Sequence, residues 1–295
     1  MTVRFVAEVA SNHNRDLKRA LALVETAARI GCAAVKFQLF TVQDLFAPEI
    51  LTKSARHRAR ADWELPETFL EPLSARSHEL GLAFACTPFA LRAVDVLERY
   101  VDFVKIASYE LLWDDLLRAC ASTGKPVVIA TGMATLDEVV RAGGVLRRAG
   151  CPNPIVLHCT SGYPAPIDQC NLAAIDTIRA ATRARVGWSD HSVSPAVIRR
   201  AVHRWRAEMV EFHLDLDGEG AEFGAGHCWL PQQIAPVIDA VRTGAVADGP
   251  SPDECAADGT GDKRPVAVEA ADRSWRADPS DGLRPMRSIR STWVP

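Results

Sequence analysis

The chain has 295 residues, 48% of them hydrophobic and 24% charged, with a formal net charge of −3. This is the composition of a globular protein with a sizeable core, and it excludes a disordered or fibrous chain. The slight negative charge, with no basic run interleaved with aromatics, argues against nucleic acid as a partner; no apolar run approaches the ~18 residues of a membrane span.

Short apolar, β-branched runs alternate with longer amphipathic stretches from the first residues to about Arg242. In chain order the predicted strands are Val3–Ala10, Ala34–Phe40, Ala83–Cys86, Phe103–Ala107, Pro126–Thr131, Ile155–His158, Arg185–Ser189 and Met209–His213. A helical pattern follows each, clearest over Leu17–Ile30, Asp114–Ser122, Leu136–Arg148, Ala196–Trp205 and Pro231–Val241. Gly31, Gly81, Gly124 and Gly150 stand where helices close with a left-handed residue.

Eight strand–helix units in this length predict an α/β fold, a (β/α)8 TIM barrel over residues 1–243. A doubly wound open sheet would place a glycine-rich phosphate turn after its first strand. The first strand here runs instead into Ala10-Ser-Asn-His-Asn14, which has no glycine.

From Gly244 the periodicity stops. Residues 244–295 hold six prolines and five glycines, and read as a short Pro/Gly-rich C-terminal tail or strap, not an independent domain. Its later part, around Trp275 and Arg284, has the composition of an ordered strap over the barrel, with a disordered tail as the alternative. The eight cysteines are scattered without a C-x-x-C pair, and no signal segment opens the chain; both features suggest a cytoplasmic protein with reduced thiols.

In a parallel barrel the chemistry sits where strands give way to their following loops. Those positions carry Glu8 and Asn12 after strand one, and Lys36 and Gln38 on one side of strand two. Thr87 follows strand three, and Lys105, Ser108 and Glu110 follow from strand four. Strand six leads to Ser161 and Tyr163, and strand seven to Ser189, Asp190 and His191; His213 stands at the end of strand eight. His191 and His213 lie one strand–helix unit apart, so a closed barrel sets them side by side. With Asp190 and Glu211 near, they look like half of a divalent-metal site. Lysine is rarely buried without a partner. Lys36 and Lys105 must therefore reach the polar mouth or pair with an interior carboxylate such as Glu8 or Glu211. Two lysines ringed by hydroxyls suit an anionic, phosphate-bearing ligand.

Seven segments occur in register with these strand ends. They are Ala7-Glu8-Val-Ala-Ser-Asn12-His-Asn14, Val35-Lys36-Phe-Gln38, Thr87-Pro-Phe, Lys105-Ile-Ala-Ser108, Thr131-Gly-Met133, His158-Cys-Thr-Ser161-Gly-Tyr163-Pro and Ser189-Asp190-His191-Ser192. Together they resemble the N-acetylneuraminate (sialic acid) synthase family over residues 1 to about 240. The resemblance implies a metal-dependent transferase that condenses phosphoenolpyruvate with an aldose or N-acyl-amino-sugar aldehyde, yielding a 3-deoxy-2-keto sugar acid and phosphate. It further implies that His191 and His213 bind Mn2+ or Mg2+. Lys36, Thr87, Lys105, Ser108, Ser161 and Ser189 would hold phosphoenolpyruvate, and Gln38, Glu110 and Tyr163 would face the sugar. Glu8 would be an acid/base or water-orienting group, with Asp190 a further catalytic candidate. By analogy with similar barrels, a homodimer is compatible with the fold.

The departures from that pattern are specific. Glu211-Phe212 stands where a Lys or Arg is usual before the eighth-strand histidine, and Ala130 replaces a common phosphate-binding serine. After His213 the usual Gly-Pro-Asp is missing; Glu222 is read as standing in for its sugar-binding aspartate, and His227 as a further ligand or a plain loop residue. The family's antifreeze-like domain, which brings an arginine to a neighbouring active site, has no counterpart in the tail. Arg276 or Arg284 is the expected replacement. A sugar aldolase or epimerase using a Schiff-base lysine, and a non-catalytic sugar-binding barrel, are the competing readings.

Overall fold

Each of the eight β-branched runs forms a strand, because residues buried on both faces favour the pleated backbone. In the computed structural model, which describes residues 3–244 and 251–295, they are β1 (Arg4–Glu8), β2 (Ala34–Leu39), β3 (Ala83–Pro88), β4 (Phe103–Ile106), β5 (Val127–Ala130), β6 (Ile155–Cys159), β7 (Arg185–Asp190) and β8 (Met209–Leu214). All pair in parallel in chain order, and β1 pairs with β8 to close the barrel. A two-residue strand absent from the sequence reading, β9 (Cys228–Trp229), adds to β8 with Cys228 opposite His213.

One principal helix follows each barrel strand: α1 (Leu17–Arg29), α2 (Leu70–Glu79), α3 (Leu91–Leu97), α4 (Asp114–Ser122), α5 (Leu136–Arg148), α6 (Ala174–Thr182), α7 (Pro195–His203) and α8 (Pro231–Thr243). Their starts are locally encoded. Asp16 caps α1 by accepting from the amides of Lys18 and Arg19, and Thr135 with Glu138 forms a capping box on α5. The four glycines singled out above all have positive φ. Among the described residues no helix is long and apolar enough to cross a membrane.

Alternation along the strands divides two apolar regions. Phe5, Val35, Phe37, Phe84, Val104, Trp188 and Phe212 face the helices. Val6, Ala34, Ala85, Val128, Leu157 and Met209 fill the barrel floor. Going two residues further along an inward row reaches the polar layer. Val6 is followed by Glu8, Ala34 by Lys36, Phe103 by Lys105 and Met209 by Glu211.

The C-terminal segment 251–295 crosses the mouth. It hydrogen-bonds Leu136, Leu172 and Ala173 through the carbonyls of Lys263, Ala257 and Asp258. Further on, Ala277 N donates to Tyr109 O, and Arg284 forms an isolated parallel bridge with Phe46. Residues 245–250, within the predicted tail, lie outside the described residues.

Candidate active site at the C-terminal mouth of the barrel

Glu8, Lys36, Lys105 and Glu211 form one buried charge cluster on four strands. Lys36 Nζ contacts Glu8 Oε2, donates to Thr87 Oγ1 at 3.1 Å, and stands 3.7 Å from Glu211 Oε1. Lys105 Nζ is 3.5 Å from that same Glu211 oxygen and donates to Ile106 O at 3.2 Å. The interior ion pair, one of the two placements open to each lysine, is thus the arrangement adopted. Parallel register enforces it, since Glu8 lies opposite both Lys36 and His213. Burial pushes the Lys36 pKa down to about 8, with Glu211 acting against the fall. Burial works to raise the Glu211 pKa, but Lys105 and Lys36 outweigh it and hold the carboxyl below its usual range.

Above this cluster, Glu8 Oε1 accepts from Ala10 N at 2.7 Å and from Gln38 Nε2 at 3.2 Å. The hydroxyls of Ser108 and Ser161 converge on Gly132. Its amide donates to Ser108 Oγ at 2.8 Å, and a Cβ there would fall 2.0 Å from Ser161 Oγ. Among the described residues Ser161 Oγ has no hydrogen-bond partner of its own. Ser189 is buried on the inward row of β7.

His191 and His213 meet as expected, with ring centroids 5.3 Å apart. Tyr163 stacks beside them, 4.3 Å from the His191 ring. His191 Nδ1 pairs with Thr160 O at 2.9 Å, which leaves Nε2 as its unpaired edge. Burial keeps both imidazoles neutral, pushing His213 down to about 3 and His191 below its usual value. His227 completes a triangle, its ring 4.5 Å from His213 and 6.2 Å from His191. The loop after β8 brings it there. Asn12 Nδ2 donates to Leu214 O, and Asn12 Oδ1 accepts from Glu222 N. Asp215 takes Arg19 and the amides of Gly218 and Gly220. Glu222 is thereby set with Oε2 at 3.3 Å from His213 Nδ1 and 3.4 Å from His227 Nε2.

Asp190 corrects the sequence reading. Its carboxylate accepts from the indoles of Trp188 (3.0 Å) and Trp229 (2.9 Å), from Ser192 Oγ and from Val193 N. Strand alternation sends residues 188 and 190 outward while 189 and 191 face in, so Asp190 packs behind the site and is saturated there. Glu110 is fully buried and held by Arg284. Burial raises its pKa and Arg284 opposes the rise. The two tail arginines part company: Arg276 is tied to Glu138 at the start of α5, whereas Arg284 lies over the Tyr109 ring at 4.2 Å.

Sequence reasoning missed Glu269. From the tail, its Oε1 accepts the amides of Met133 and Ser161, both at 2.7 Å, and so ties the loops after β5 and β6 together. The signal was available: a glutamate set in Val266-Ala-Val-Glu269-Ala-Ala needs a partner when the segment is buried.

A parallel eight-stranded barrel whose mouth gathers three imidazoles, two lysines and five glutamates belongs to the enzyme-like class of TIM barrels with chemistry at the C-terminal face. The sequence signature of the NeuB family matches residues 23–251. An uncharacterized protein of Methanocaldococcus jannaschii is 36% identical over 215 residues, 72% of this chain and 62% of that protein. The N,N'-diacetyllegionaminic acid synthase of Campylobacter jejuni is 34% identical over 225 residues, 72% of this chain and 67% of the synthase. The crystal structure of the spore coat polysaccharide biosynthesis protein SpsE of Bacillus subtilis superposes with a TM-score of 0.80 at 27% identity, covering 92% of this chain and 77% of that one. The chain belongs to the NeuB family. It spans 62% of the length of the first relative and 67% of the second.

Proposed function

We propose that this protein is a transferase that condenses phosphoenolpyruvate with an aldose or N-acyl-amino-sugar aldehyde, releasing phosphate and a 3-deoxy-2-keto sugar acid. The observation that carries the reading is the meeting of His191 and His213 beside the Lys36–Lys105–Glu211 cluster, in a chain of the NeuB family.

Lys36 and Lys105 receive the carboxylate and phosphate of phosphoenolpyruvate. A lysine has three protons to donate. Lys105 spends one on Ile106 O and stands only loosely against Glu211, so it keeps donors for an anion. Thr87, Ser108, Ser161 and Ser189 add hydroxyls around the same pocket. Fixed donors in a site closed to water stabilise the charge that develops on a leaving phosphate. Gln38 and Tyr163 face the acceptor, and Glu110 orders that side through Arg284. Glu8, hydrogen-bonded to Gln38 and the Ala10 amide, orients the water that adds to phosphoenolpyruvate.

Neutral imidazole nitrogens, buried and without hydrogen-bond partners, suit a divalent cation. Bound by His191 and His213, Mn2+ or Mg2+ would polarise the acceptor's carbonyl. Residues 244–295 act as part of the barrel and not as an independent domain, supported by the reach of Glu269 and Arg284 into its mouth. The scattered free cysteines support a cytoplasmic location.

The test incubates the protein with Mn2+, phosphoenolpyruvate and a panel of aldoses, and follows phosphate release. Release that depends on one class of acceptor and disappears in His191→Ala and His213→Ala is expected. No release with any acceptor would overturn the reading.

A further inference from the structure

The segment after β8 departs from the family pattern that the sequence resembles, and it places two extra donors against His213. Glu222 Oε2 stands 3.3 Å from His213 Nδ1 and 3.4 Å from His227 Nε2. Neither approach is aligned as a hydrogen bond: His213 Nδ1 and both nitrogens of His227 are buried without partners among the described residues. Two neighbouring ligands bonded at ~2.0–2.2 Å to a common ion stand ~3.0–3.4 Å apart, which is the spacing seen. Among the described residues, Glu222 makes ion-pair contact only with these two histidines. The carboxylate is set between two imidazoles whose facing nitrogens have no hydrogen-bond partner among the described residues, while its other oxygen accepts from Ser11 N at 3.3 Å. A cation between the three groups satisfies them together.

The His191 ring lies beside this triangle, its centroid 5.3 Å from that of His213 and 6.2 Å from that of His227. Its Nδ1 is fixed by the Thr160 carbonyl, the arrangement by which a ligating histidine is commonly oriented through its other nitrogen. Cys228 also brings its sulfur within 4.8 Å of the His213 and His227 donors. Asn12 Nδ2 donates to that sulfur at 3.5 Å, which engages it outside the Glu222–His213–His227 triangle.

We infer that Glu222 and His227 complete the cation site, so that one ion is held by His191, His213, His227 and Glu222. The inference rests on the proposed function only for placing a metal in this mouth. A set of three imidazoles and one carboxylate suits Mn2+, Fe2+, Co2+ or Zn2+ over Mg2+, which prefers oxygen and retained water.

Co2+ is the probe, titrated into chelator-treated full chain and followed by its visible absorption and by calorimetry, with thermal melting to confirm folding of each variant. One equivalent is expected to bind, with Mg2+ failing to displace it. Glu222→Gln and His227→Asn each weaken binding by about tenfold or more, and Cys228→Ser leaves it unchanged. Co2+ binding as tight in both folded variants as in the wild type would overturn the inference while leaving the proposed reaction standing. So would loss of binding in Cys228→Ser alone. Tight binding that needs Glu222 and His227, in a protein that releases no phosphate with any aldose, upholds the site and sinks the reaction.

Discussion

Arg284 donates both Nε, at 2.8 Å, and Nη2 to a single oxygen of Glu110, across 174 residues of sequence. The guanidinium also lies over the rings of Tyr109 and Phe89, at 4.2 and 5.2 Å. Glu110 ends the short turn after β4, at the mouth of the barrel. A tail arginine is thereby anchored to a buried carboxylate at the mouth of the barrel.

Removing Arg284 leaves a buried carboxylate without its cation. Arg284→Met is expected to destabilise the fold by ~3 kcal/mol, read by urea unfolding, and Glu110→Gln in the same chain to recover most of that. The double variant is expected to raise the Michaelis constant for the acceptor. An unchanged constant in a stable double variant would mean the pair is architectural.

Lys36 gives the pH dependence. Burial lowers its pKa to about 8, so the ammonium is present below that pH and lost above it. The value of kcat/KM for phosphoenolpyruvate, which reports the free enzyme, is expected to fall as pH rises through about 8. In Lys36→Met that alkaline limb disappears along with most of the activity.

Lys105→Met removes a charge-assisted contact worth ~2 kcal/mol, about thirtyfold in the dissociation constant. Calorimetric titration with phosphoenolpyruvate measures it. Binding as tight as wild type would reduce Lys105 to the ion-pair partner of Glu211.

Asp190 is expected to matter for stability and not for chemistry. Asp190→Ala strands two buried indole N–H groups, at a cost of ~2–4 kcal/mol. Thermal unfolding should show the loss, while kcat at a temperature where the variant is folded stays within a few-fold of wild type. A collapse of kcat in the folded variant would restore Asp190 to the catalytic list.

The barrel was legible because each strand announces itself over four to six residues of β-branched, apolar chain. The strand-end residues were legible because the fold fixes which end does chemistry. Asp190 was misread through neglect of the same periodicity: residues 189 and 190 cannot both face inward. Glu222, His227, Glu269 and Arg284 carried weaker signals, since they sit in stretches rich in glycine and proline where no period assigns a face.

The sequence alone determined eight strands in order, the inward rows that end in Glu8, Lys36, Lys105 and Glu211, and the meeting of His191 with His213. All of these follow from local pattern plus closure of a parallel barrel. Only the tertiary structure decided that both lysines share Glu211, that Asp190 turns behind the site, and that tail residues enter the mouth. The reason is physical: alternation encodes direction relative to a strand, whereas the path of an aperiodic segment is set by the distant partners it finds, Asn12 for the loop bearing Glu222 and Glu110 for Arg284.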